Sequence, residues 1–170
     1  MLINLSSDIP FVYDNVKFHF FDRKNLENQL PKYLYEIENL KDLHVITWPW
    51  NFSTTRIGTE VINILLFLWK IDKVYYLNKL EFFNFLWYDN IYLFSGNKNK
   101  FIKLLKNQKY EIINRKDTKT LYCEEVFEEK NKLDLKYIRY EDILKNYKKL
   151  DWHEEFKLLK AYYIFEPIVE

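Results

Sequence analysis

The chain has 170 residues, a net charge of +1, 48% hydrophobic and 19% aromatic residues; that suits one domain, or one and a small appendage, and excludes disorder. Its two glycines, Gly58 and Gly96, are too far apart to form a glycine-rich phosphate loop, and the near-zero charge gives no global field toward nucleic acid or membrane. The single cysteine, Cys123, excludes an internal disulfide and a cysteine zinc cluster, and suits a reducing, cytoplasmic setting.

The N-terminal MLINLSSDIP lacks the charged and apolar regions of a signal peptide. Leu2 to Leu5 reads as a short strand. Phe11 to Tyr13 and Val16 to Phe20 are alternating apolar runs on either side of Asp14-Asn15, both of which tolerate positive φ, so a tight hairpin is expected there. Three sequential antiparallel strands therefore come first, with His19 on the opposite face from Phe18 and Phe20. Leu26, Leu30, Tyr33, Leu34 and Ile37 make one stripe of a helix over Asn25 to Leu40, in which Pro31 removes a hydrogen bond and should bend the axis.

Leu43 to Ile46 has the β-branched character of a buried strand. A turn follows at Trp48-Pro49-Trp50-Asn51, then Ser53, Thr54 and Thr55, any of which could cap a helix. From Arg56 the helix carries Ile57, Val61, Ile62, Ile64, Leu65, Leu66, Phe67, Leu68 and Trp69, with no polar face after Asn63. The run is too short to cross a membrane, which takes about 20 apolar residues. It is a helix to be covered on nearly all sides.

Lys73 to Leu77 reads as the next strand, completing a βαβ unit. Leu80 to Trp87 follows as a short helix and Ile91 to Phe94 as a strand. Phe101 to Leu105 has helical spacing but could equally be a hairpin strand. Lys109 to Ile113 suits a strand, Lys116 to Asn131 a turn and a helix, and Tyr140 to Tyr147 and Trp152 to Lys160 two further helices. The expected division is a first lobe over residues 1–88 and a reduced second lobe over 89–170.

Pro49, Phe52 and Arg56-Ile57-Gly58 resemble the G-P-G-S-F-T-G-x-R-I-G stretch of the bacterial TsaB (YeaZ) family, on the same strand–loop–helix frame. Trp48, Trp50 and Thr54 stand where that pattern has glycines. Glu27, Leu30 and Pro31 match part of the family's H-S-E-x-L-x-P pattern. Tyr163 to Pro167 is similar to its closing Tyr-Leu-Arg-x-Pro, with Phe165 in place of the arginine. The resemblance runs over residues 2 to about 77 and then only the tail. It implies an α/β, ribonuclease-H-like lobe of the actin and sugar-kinase type. It also implies a non-catalytic scaffold in the machinery that places threonylcarbamoyl on the adenosine beside the tRNA anticodon. The implied partners are the transferase TsaD, joined through a helical bundle, and the ATPase TsaE; a homodimer is a further possibility, and tRNA is met only indirectly. The residues expected at the partner interface are Leu30, Tyr33, Leu34 and Ile37 on one helix, with Ile57, Gly58, Val61, Ile62 and Leu65 on the other.

No chemistry-bearing constellation competes with that expectation. His19, His44 and His153 share no ligand spacing, and no serine sits in a nucleophile-elbow motif. Cys123 lies beside Glu124 and Glu125, which oppose thiolate formation. Ser6 stands where the family has an aspartate at the end of the first strand, and Trp48 and Trp50 put bulk where a phosphate would approach backbone. No cofactor is therefore expected. The lysines Lys98, Lys100, Lys103, Lys106 and Lys109 suit a soluble edge better than a tRNA contact. Two other readings stay open: a stand-alone interaction module, such as a toxin-neutralising protein, and a nucleotide-using enzyme of the same fold.

Overall fold

A computed structural model describes residues 1–6, 9–38, 40–47, 52–85, 92–94, 100–105, 109–114, 121–124, 135–138, 144, 147–155 and 159. The chain forms two compact units, one of Met1–Lys79 with Trp152–Glu170 and one of Leu80–Asp151.

The first unit is built on a six-stranded mixed sheet. Its strands are β1 (Leu2–Asn4), β2 (Phe11–Tyr13), β3 (Phe18–Phe20), β4 (Asp42–Thr47), β5 (Lys73–Asn78) and β11 (His153–Glu155), in the spatial order β11-β5-β4-β1-β2-β3. The first three are sequential and antiparallel; β4 is parallel to β1, and β5 parallel to β4. Helix α1 (Leu26–Glu36) precedes β4, and α2 (Phe52–Phe67) carries the crossover from β4 to β5. The core lies between this sheet and these helices: Ile3, Leu5, Val45 and Val74 meet Leu30, Leu34, Ile62 and Leu65 in one cluster.

The hairpin turns one residue later than expected. Asp14 bonds across to Lys17 through backbone, so Asn15 and Val16 are the turn residues, with Asn15 at φ 81°. The Asp14 carboxylate accepts from the N–H groups of Val16 and Lys17, which fixes it as the turn's first residue and not its second. Helix α1 ends at Glu36, earlier than the expected Leu40, because Ile37 is already extended. Helix α2 starts at Phe52, so Ser53, Thr54 and Thr55 lie inside it. The expected turn at Trp48 to Asn51 lies outside the described residues.

The expected boundary at residue 88 is displaced, since the first unit stops at Lys79 and regains the chain at Trp152. The cause is β11. Residues 153–155 form a strand in place of the expected helix, pairing antiparallel with β5, and Lys73 joins Glu154 at 2.9 Å. Without β11 the backbone of β5 would be an open edge, and satisfying it outweighs the helical pattern expected over Trp152 to Lys160.

The second unit opens with α3 (Lys79–Phe85, whose first residue belongs to the first unit) and holds two small sheets. Strands β6 (Tyr92–Phe94), β7 (Lys100–Leu104) and β8 (Tyr110–Asn114) form an antiparallel meander, which resolves the Phe101 to Leu105 ambiguity as strand. Strands β9 (Leu121–Glu124) and β10 (Leu135–Ile138) pair in parallel. Cys123 is thus on a strand and not the expected helix. Most of the expected helix at Tyr140 to Tyr147 lies outside the described residues; Tyr147–Lys149 is one 3-10 turn.

Candidate interaction surface

Helix α2 resolves its apolar surplus by facing two ways. Gly58 lies on the inner side, against the fully buried Leu5 side chain that follows β1. Val61, Ile62, Leu65 and Leu66 continue that side into the core. On another flank Asn63, the last polar residue of the helix, holds Leu159. Its Nδ2 donates to the Leu159 carbonyl at 3.1 Å and its Oδ1 accepts from the Leu159 N–H at 2.8 Å. Leu159 itself is buried in the same core. Leu159 therefore shelters part of the helix.

The remainder stays open. Ile64, Phe67 and Leu68, at helical i, i+3, i+4 spacing, form an outward stripe, and Phe67 is 82% exposed. The helix then closes with the Lys70 N–H on the Leu65 carbonyl at 2.9 Å and the Trp69 N–H on the Leu66 carbonyl at 3.1 Å. That is the Schellman arrangement, whose turning residue is usually glycine. Here it is Trp69, at φ 55° and 86% exposed. A tryptophan in this left-handed conformation costs about 1 kcal/mol relative to glycine, and it holds a large apolar ring in water. Lys70 reaches from the same turn over the Tyr35 ring of α1, 5.1 Å from its centroid, and Tyr35 is also exposed. Together the five side chains present roughly 700 Å² of surface, given that a large aromatic covers about 150–250 Å². Scattered exposed apolar residues are ordinary; several gathered at one helix end form a candidate interaction surface.

The residues expected from sequence at a partner interface sit mostly elsewhere. Leu30, Leu34, Val61, Ile62 and Leu65 are buried in the unit's core, and Gly58 is buried against Leu5. Tyr33, Ile37 and Ile57 are half-buried and pack on that core. The expected pairing of the two helices is present, since α1 and α2 pack on each other. The open surface is carried by Tyr35, Ile64, Phe67, Leu68 and Trp69, all outside the expected interface set. The signal was available in the run after Asn63, but periodicity alone does not say which of six consecutive apolar residues turn outward.

No protein-family model matches the sequence, and no curated protein matches it. A search of solved structures finds a likeness to YeaZ from Pseudomonas aeruginosa, at 10% sequence identity and a TM-score of 0.46, over 72% of this chain and 73% of that one. At that identity and score the likeness is one of outline.

The other place where an α/β unit can hold a ligand is the carboxyl end of its parallel strands. Asn4, Ser6, Thr47 and Lys79 meet that description, and all four are fully buried. Ser6 gives both its N–H and its hydroxyl to the Asn4 side-chain oxygen, at 2.9 and 2.7 Å. The Lys79 ammonium donates to the Ser6 carbonyl at 3.1 Å, and the Thr47 hydroxyl reaches the Leu77 carbonyl at 3.4 Å. These bonds tie the end of β1 to Lys79, just past β5, and β4 to β5. Lys79 was not foreseen, because nothing local distinguishes a lysine after a strand from a surface lysine. Among the described residues no three His, Cys, Asp or Glu converge as metal ligands, and no helix is long and apolar enough to cross a membrane. Of the lysine run, Lys109 is exposed and Lys103 half-buried; Lys98 and Lys106 lie outside the described residues.

Proposed function

We propose that this chain is a non-catalytic interaction subunit that docks a partner protein on the open end of α2. The observation that carries the reading is the exposed set Ile64, Phe67, Leu68 and Trp69, continued onto α1 by Tyr35. Its roughly 700 Å² approaches the ~800 Å² per partner of a standard stable interface. Aromatic side chains dominate it, as they dominate interface energetics.

The partner we propose is a TsaD-type transferase of the tRNA threonylcarbamoylation machinery, with a TsaE-type ATPase acting on the assembly. The support is the sequence resemblance at Pro49, Phe52 and Arg56 to Gly58. The strand order of the first unit, three antiparallel strands and then a βαβ crossover, agrees with a ribonuclease-H-like lobe. In this reading the chain holds its partner in an active conformation and supplies no reacting group. The helix pair serves as in the family's helical bundle, but through side chains displaced toward the C-terminal end of α2.

Co-expression with the TsaD of the same organism, followed by gel filtration, tests both parts. The two chains should co-elute, and Phe67→Asp or Ile64→Glu should abolish co-elution while leaving the thermal unfolding of this chain nearly unchanged, because both side chains already face solvent. Co-elution that survives both substitutions would move the interface elsewhere. Failure of the unaltered chains to co-elute would remove TsaD as the partner.

A further inference from the structure

The sheet of the first unit ends on β3, and no described strand pairs with its outer side. Asp14 bonds to Lys17 and Phe21 bonds back to Pro10, so the backbone groups of His19 between them face β2. Phe18 and Phe20 then direct their N–H and C=O groups away from the sheet. Their side chains stack on one face, with ring centroids 5.8 Å apart, and Phe20 is 63% exposed.

On the other face α1 runs antiparallel to β3. Gln29 accepts from the Asp22 N–H just past the end of the strand. One turn later the Tyr33 ring lies 5.6 Å from that of Phe21 and 4.5 Å from that of His19. The level of His19 along α1 therefore falls between Lys32 and Glu36, since a helix advances less than half as far per residue as a strand. Both charged side chains are exposed and line the groove between β3 and α1. Neither forms an ion pair with a described residue.

We propose that β3 is a contact between two copies of this chain, paired antiparallel about a two-fold axis through His19. In that register each Phe18 exchanges N–H and C=O bonds with Phe20 of the second copy, which satisfies the open groups of the edge. The two phenylalanine stacks join into one ladder that covers Phe20. On the helix face His19 meets its counterpart, each ring already held by its own Asp14 carboxylate at 2.9 Å. The same axis reverses α1, so Lys32 faces Glu36 of the second copy and Glu36 faces its Lys32.

Charge decides the occupant. The groove is lined by one lysine and one glutamate. A strand of either net charge would be opposed by one of them, whereas a reversed copy answers both at once. The contact is separate from the open end of α2 and stands whether or not that surface binds TsaD.

Sedimentation equilibrium of the full chain tests the inference. The unaltered chain should self-associate with a Kd on the order of 10–100 μM. Lys32→Glu and Glu36→Lys should each weaken self-association about tenfold, because each sets like charges across the axis. An equimolar mixture of the two variants should recover it, since every pair across the axis is then of opposite sign. That recovery separates a lost contact from a lost fold. Phe20→Lys should also weaken self-association, and Phe67→Asp should leave it unchanged. A chain that stays monomeric up to ~1 mM would overturn the proposal, as would a mixture no more associated than its components. Association lost in Phe67→Asp but kept in Phe20→Lys would place the contact on α2 instead.

Discussion

Leu5 and Gly58 fit together as a side chain and the space left for it. A methyl group at residue 58 would collide with both terminal carbons of Leu5 and stand 2.9 Å from its Cγ. The glycine thus lets α2 lie close to the end of β1, where Leu5 is fully buried and its N–H bonds to the Ile46 carbonyl at 3.3 Å. The neighbour that requires the glycine is a side chain and not backbone.

Gly58→Ala should therefore destabilise the chain by about 1–2 kcal/mol, overpacking outweighing the better helix propensity of alanine. Urea unfolding measures it. Combined with Leu5→Ala, the substitution should cost less than it does alone, because the methyl then enters vacated space. Strict additivity in that cycle would show that the two residues do not share the contact.

Asn63 grips one residue through both of its polar ends. Asn63→Ala should leave the Leu159 N–H and C=O without their partners and cost about 1–3 kcal/mol. It should also speed proteolysis of the C-terminal region, read by the rate of appearance of a shortened fragment. An unchanged cleavage rate would count against the Asn63–Leu159 attachment.

Trp69 sits in a conformation suited to glycine. Trp69→Gly should raise stability by about 0.5–1 kcal/mol, relieving the left-handed strain at the close of α2. The same substitution should weaken partner binding, since the exposed ring is lost. Gain in one assay and loss in the other is the pattern of a residue kept for contact and not for folding. Loss in both would make Trp69 structural.

Asp14 gives the chain an acid-sensitive hairpin. Partial burial opposes its ionisation, but the Lys17 N–H, the His19 ring and the Val16 N–H outweigh it and hold the carboxyl at about 2, below the ordinary 3.8. A depressed carboxylate contributes stability above its unfolded value and loses it as pH falls toward the folded one. The contribution should be full above pH 3.8 and fade toward pH 2, on the order of 1 kcal/mol after solvent screening. Asp14→Ala should abolish this part of the acid dependence in urea titrations at stepped pH. Tyr33 on the same face is raised, by burial first and by the Asp14 charge second.

Local patterning already encodes the early strands, the helix with the Leu26, Leu30 and Leu34 stripe, the central strand at Leu43 to Ile46 and the apolar helix after it. Each is written in local periodicity, which the chain obeys wherever one face must be buried. It also carried the surplus of apolar residues beyond Asn63. Which of those residues stay in water depends on long-range packing. Leu65 and Leu66 turn inward because Leu5 and the sheet receive them, Asn63 is taken by Leu159 from 96 residues away, and Ile64, Phe67, Leu68 and Trp69 are what remains. Likewise residues 153–155 became a strand because β5 offered an unpaired edge, a long-range hydrogen-bonding demand that spacing within a short segment does not encode.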